Sequence, residues 1–194
     1  MDKATRAERP HTSIFCLRHG GTHLIKPLVK RLVKLPTVDL GKIPNPEKHV
    51  PLGPVVIGLR DPRNVIVAAV KWHLRRAGEP IEPGPQHDKA LAHQMAQMMP
   101  YMVRYVSASI HRPGVVTRFE ALVAPDGPAE AERVARELGC AEGDGAAALA
   151  AVLGTGHTFT GSYSDHRQWF GPRANSAWIN SGGVRLLNLM GYQA

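Results

Sequence analysis

Residues 55–73 read VVIGLRDPRNVIVAAVKWH. Val55–Leu59 is a short apolar run rich in β-branched residues and of strand length. Pro62 suits the first turn of a helix, so the pattern predicts a helix that runs on through Trp72. A strand that hands over to a helix through a short charged turn is half of a βαβ unit, and the handover recurs along the chain. Residues 12–17 (TSIFCL) form a second apolar run, followed by LRHGGTHLIKPLVKRL over residues 17–32. Leu24, Leu28 and Leu32 fall on roughly one face of that segment, with Pro27 in its first turn or kinking it. Residues 115–118 (VVTR) are a weaker third strand, followed by a helix over about 128–139 that stops at Gly139. Strands alternating with helices predict an α/β domain with a parallel sheet, one unit over residues 1–194.

The 24 Lys and Arg residues outnumber the 16 Asp and Glu residues, for a formal charge of +8. That balance favours an anionic partner. The basic residues gather at LRHGG, IKPLVKRL, LRDPR and KWHLRR, where strands give way to helices. No motif or aromatic-basic interleaving points to nucleic acid. No apolar run is long enough to span a bilayer. The opening MDKATRAERPHTS lacks the apolar core of a secretory signal, so a cytoplasmic location is the expectation. Cys16 and Cys140 read as small apolar residues, and no ligand spacing suggests a metal. Residues 76–87 are rich in proline and glycine and read as a loop. Met95, Met98, Met99, Met102 and Val103 then follow at helical spacing as core packing. Residues 141–156 predict a short alanine-rich helix.

The turn after the first strand carries the clearest chemistry. Backbone amides at a glycine-rich strand-to-helix turn face the positive end of the helix dipole and suit phosphate or sulfate. Gly20 and Gly21 allow close approach, the Thr22 hydroxyl can donate, and Arg18 and His19 can add charge. No Lys-Ser or Lys-Thr follows the glycines, which disfavours an ordinary ATPase or kinase. Arg18-His19-Gly20 also resembles the nucleophile turn of the histidine phosphatases. The second motif of that family would fall on Asn180–Arg185, with Ser181 where its histidine should stand.

Arg60-Asp61-Pro62-Arg63-Asn64, between strand and helix, resembles the 3′-phosphate-binding segment of the sulfotransferases that use 3′-phosphoadenosine 5′-phosphosulfate (PAPS). Three more stretches resemble that family in its order. They are Leu17–His23 for the 5′-phosphosulfate loop, residues 115–139 for the strand, Glu-Asp-Leu turn and helix, and Phe159–Pro172 for the C-terminal loop. Leu186–Tyr192 is similar to the terminal helix and Gly-Tyr ending. The resemblance implies a three-layer α/β sandwich with a mainly parallel central sheet, like that of the P-loop NTPases. It implies sulfuryl transfer from PAPS to a hydroxyl, leaving 3′,5′-adenosine bisphosphate (PAP).

By position, the resemblance implies that Arg18, His19, Gly20, Gly21, Thr22 and His23 cradle the 5′ end, with His19 or Arg18 facing the leaving oxygen and Lys26 in reserve. It assigns the 3′-phosphate to Arg60 and to positions 68, 160, 161 and 167, occupied here by Ala68, Thr160, Gly161 and Arg167. His49, in Lys48-His49-Val50-Pro51, matches the general base, with Glu47 second. Ala68 replaces a serine, Phe159-Thr160 an Arg-Lys pair, Ser164 a glycine and Phe119 a tyrosine. These departures leave a nucleotide- or anion-binding member without turnover as an alternative. Arg63 and Arg118 read as solvated charges. The expected partner is a small-molecule or glycan acceptor, without nucleic acid or membrane, and a homodimer is compatible with the short chain.

Overall fold

Four parallel strands form the sheet of the computed structural model, which describes residues 10–40, 48, 50–155 and 165–193. They are β1 (Thr12–Cys16), β2 (Thr37–Asp39), β3 (Val55–Leu59) and β4 (Val115–Arg118), in spatial order β2-β1-β3-β4. Thr12 lies opposite Thr37, Ser13 opposite Val55 and Val56 opposite Val115. The helices are α1 (Thr22–Leu32), α2 (Pro62–Ala77), α3 (Asp88–Ser109), α4 (Phe119–Val123), α5 (Gly127–Glu137), α6 (Asp144–Val152), α7 (Pro172–Asn180) and α8 (Gly183–Leu189). Short 3-10 turns at Pro85–His87 and His166–Gln168 precede α3 and α7.

The period of two along a strand divides the core into two layers. Ile14, Cys16 and Val56 face one way and pack with Leu24, Ile25, Leu28 and Val29 of α1 and with residues of α4, α5 and α6. Phe15, Leu17, Val55, Ile57 and Leu59 face the other way, onto α2, α3, α7 and α8. β1 and β3 are buried on both faces, which explains why TSIFC and VVIGL read as continuous apolar runs rather than alternating ones. The parallel sheet and the two helical layers agree with the sequence. Met95, Met99 and Met102 are buried core residues, while Met98 is half-buried and Val103 exposed.

The strand order fixes where a site can form. From β1 the chain crosses through α1 to β2 on one side, then returns to place β3 on the other side of β1. α1 and α2 therefore leave neighbouring strands toward opposite faces, and a crevice opens between them at the carboxyl ends of β1 and β3. Residues 17–21 and 60–61 border it.

Two polar clusters hold the far C-terminal segment in place. Asp88, buried at the start of α3, accepts hydrogen bonds from the amides of Gly171 (3.1 Å), Arg173 (2.9 Å) and Ala174 (2.8 Å), and so caps α7 from another element. Gly171 is required there, because a Cβ would stand 2.7 Å from the Asp88 carboxyl carbon. Asp88→Ala is expected to cost about 2 kcal/mol in urea unfolding, the upper end for a helix cap. The second cluster corrects the reading of Arg63 as solvated and gives Arg118, which is exposed as expected, backbone partners. Arg118 donates to the carbonyl of Gly191 at 2.8 Å and lies over the Tyr192 ring. Arg63 forks onto Asp61 and reaches the Gln193 carbonyl at 3.2 Å. Glu120 joins the two ends, accepting from the Asp61 amide (2.9 Å) and the Tyr192 hydroxyl (2.8 Å).

Candidate functional site

The turn between β1 and α1 is built by tying its carbonyls inward. Leu17 O accepts from the Gly20 amide at 2.7 Å and from the Thr22 hydroxyl at 3.2 Å. Gly20 O accepts from the Cys16 thiol at 3.2 Å, and His19 O from Arg60 Nη1 at 2.8 Å. Among the described residues His19 alone departs from glycine with a positive φ, 62°. Gly21 follows at φ 93° and abuts Phe119, where a Cβ would come within 2.7 Å of the ring. This twist turns the chain directly into α1, whose opening amides at Gly21, Thr22 and His23 have no carbonyl one turn earlier to bond. The Gly20 amide is taken by the turn, so the opening amides of α1 begin one residue later than the glycine pair indicates.

Arg60 is buried and supports this turn from the neighbouring strand. Its guanidinium lies 4.5 Å from the centre of the Phe119 ring while it holds His19 O. The Phe119 ring is thus the floor under both Gly21 and Arg60. Residues 20–22 and 60 meet at one place, with Arg60 bonded to the loop itself rather than standing off at a nucleotide's length. The Thr22 hydroxyl also points inward, with Cys16 Sγ 3.6 Å away. Burial pushes the Cys16 thiol up to about 12, so it is a packed neutral group here and no nucleophile.

Positive charge dominates the surroundings. Burial, together with the neighbouring Arg18, Arg60, His73 and His23, lowers the His19 pKa to about 4. His19 is therefore a neutral imidazole at pH 7. Lys71, half-buried with its ammonium over the Trp169 ring, is also pushed down by burial and by Arg75 and Arg60. Trp72 gathers Arg18, Arg76, His19 and His73 around one indole. Sequence reasoning missed this residue, although a tryptophan inside the basic run KWHLRR was its visible signal.

The remaining sequence-predicted residues fall as follows. His23 is exposed on the first turn of α1, and Ala68 is half-buried in α2. Lys26 is paired with Asp39 at 3.2 Å. Arg167 is exposed and forks onto Asp165 within its own turn. The backbone of that turn is pinned to α2, because the His166 amide donates to buried Asn64 at 3.0 Å. Ser181, in the segment that resembles the phosphatase motif, bonds the Trp178 carbonyl at the α7–α8 junction. Glu47, His49, Thr160, Gly161 and Ser164 lie outside the described residues. At the other end of the strands, a groove of about 700 Å³ is lined by Pro51, Gly53, Arg112 and Glu137, and by none of the site residues above. Among the described residues no helix is long and apolar enough to cross a membrane.

No family model matches the chain, and no curated protein sequence matches it. Among solved structures, the crystal structure of mouse sulfotransferase SULT7A1 complexed with PAP is similar, with a TM-score of 0.62 over 95% of this chain and 89% of that one. The two sequences are 11% identical, so the likeness speaks for architecture alone. This chain has the α/β fold of that sulfotransferase, a central parallel sheet flanked by helices.

Proposed function

We propose that the chain is a sulfotransferase that moves the sulfuryl group of PAPS to a hydroxyl of a small molecule or glycan. The observation that carries this reading is the turn at residues 17–23. There, helix-opening amides meet the positive charges of Arg18 and Arg60 at the switch point between β1 and β3. The fold likeness supports it, since the similar structure holds PAP. In the reaction the acceptor hydroxyl oxygen forms the new S–O bond. The bridging bond to the 5′-phosphate breaks, its electron pair leaving with PAP, and the hydroxyl proton passes to a base. Sulfuryl transfer runs in line through a loose transition state, as phosphoryl transfer does, so the protein contributes position and charge. The amides of Gly21, Thr22 and His23 would hold the 5′ end. Arg60 fixes the carbonyl of His19 and so the shape of the cradle. By sequence position His19, or else Arg18, would face the leaving oxygen, and His49 is the base.

The test is calorimetric. PAP is expected to bind about tenfold or more tightly than 5′-AMP, the worth of one charge-assisted contact to the extra phosphate. Equal affinities, or no binding, would remove the cofactor assignment. His49→Ala should then abolish turnover and leave PAP affinity intact.

A second reading, a nucleotide- or anion-binding protein without turnover, is favoured by specific features. The Arg60 guanidinium and Thr22 hydroxyl bond the turn itself, and Ala68 offers no donor. PAP binding without sulfation of any acceptor in a broad panel would select it.

A further inference from the structure

We infer that Trp72, Arg18 and Arg76 form the acceptor subsite and that the acceptor is itself an anion, a sugar or aromatic ring bearing a carboxylate or sulfate beside its reactive hydroxyl. This deepens the sulfuryl-transfer reading and rests on it.

Several cations of this chain are held in ion pairs. Arg63 is paired with Asp61, Arg133 with Glu130 and Glu137, Arg167 with Asp165, and Lys26 with Asp39. Arg18 and Arg76 are different. Their guanidinium carbons lie 5.7 and 4.8 Å from the centre of the same Trp72 indole. His73 packs edge-on to that indole at 4.9 Å. Among the described residues no carboxylate stands within ion-pair distance of Arg18, Arg76, His73 or His19. Two guanidiniums on one ring, without an acid beside them, repel one another and gain from an anion that enters. Stacking on an indole leaves the N–H edges of arginine directed outward, where they match a carboxylate or sulfate two bonds at a time. The half-exposed indole adds an apolar face for a ring.

The subsite adjoins the transfer point. The His19 ring centre is 6.1 Å from Trp72, and Arg18 precedes His19 in the turn that would hold the donor. A ring seated on Trp72 would therefore lie beside the turn that is proposed to hold the donor. A neutral acceptor gains nothing from the paired guanidiniums, whereas an anionic one relieves their repulsion.

Trp72 provides its own readout, because Trp169 and Trp178 are only 3% and 5% exposed. Its emission, with Trp72→Phe as blank, is titrated with 4-hydroxybenzoate and with a disaccharide ending in glucuronate. The methyl ester of each is the neutral control. Titrations are made with and without PAP. The acid is expected to bind about tenfold or more tightly than its ester, and the ring type that does so tells arene from sugar. Arg76→Gln should reduce that preference to about threefold or less while PAP affinity stays within about twofold. Acid and ester binding alike for both rings would overturn the assignment. So would an Arg76→Gln protein that loses its preference for PAP over 5′-AMP, since the pair would then belong to the donor's 3′-phosphate. Acid preference without any PAP binding supports the anion platform and sinks the transfer reading instead.

Discussion

Replacing Arg60 by alanine is expected to destabilise the ligand-free protein by about 3–4 kcal/mol in urea unfolding, more than any other single change at the site. Two losses add up. The charge-assisted bond to His19 O goes, leaving that carbonyl turned toward a void, and the stacking of guanidinium on Phe119 goes with it. His19 then holds its left-handed backbone, φ 62°, without the anchor that makes that conformation worthwhile. Arg60→Lys should recover less than half, because an ammonium cannot lie flat on the ring and reach the carbonyl in the same pose. The opposite outcome is equally definite. A ligand-free Arg60→Ala protein as stable as the parent, but blind to the difference between PAP and 5′-AMP, would make Arg60 a reader of phosphate rather than a strut of the loop.

That contrast marks how far the sequence could be read. The strand runs TSIFC and VVIGL were visible because strands covered on both faces must be apolar and β-branched, whereas VVTR, which alternates buried and exposed residues, gave a weaker signal. β2 was not visible. Thr37–Asp39 is three residues long and only half-buried, so it carries neither an apolar run nor an alternation. The position of Arg60 at a switch-point turn was legible, since strand, turn and helix follow one another in the chain. The direction of its side chain was not, because its partner His19 is 41 residues away and a backbone carbonyl has no sequence signature. The same holds for Arg63 and Arg118, whose partners in residues 190–193 are carbonyls up to 130 residues distant. Glu120 was read as part of a turn. Its function as the bracket between Asp61 and Tyr192 depends on strand order, which places β3 beside β4 and brings the tail across both.

His19 gives the second large effect, and its sign follows from its surroundings. Its pKa is about 4, below the ordinary histidine value, because burial and then the neighbouring basic groups, Arg18 and Arg60 foremost, disfavour a further positive charge. The ligand-free fold therefore loses stability as pH falls from about 6.5 toward 4, since the unfolded chain binds a proton over that range and the folded one does not. An incoming phosphosulfate or bisphosphate reverses the balance by placing negative charge beside the same ring, so the liganded pKa must rise. Between the liganded value and 4, binding takes up a proton, and PAP affinity is expected to increase as pH falls, by at most about tenfold per pH unit. Protonation of the PAP phosphates, near pH 6, acts in the opposite direction. His19→Asn isolates the histidine, because asparagine tolerates φ 62° while removing the titrating ring. Calorimetry in two buffers of different ionisation enthalpy should find proton uptake approaching one per PAP in the parent near pH 5, and less by that amount in the variant. Identical uptake in both proteins would mean that His19 does not face the bound anion, and the leaving oxygen would then have to take its proton from another group.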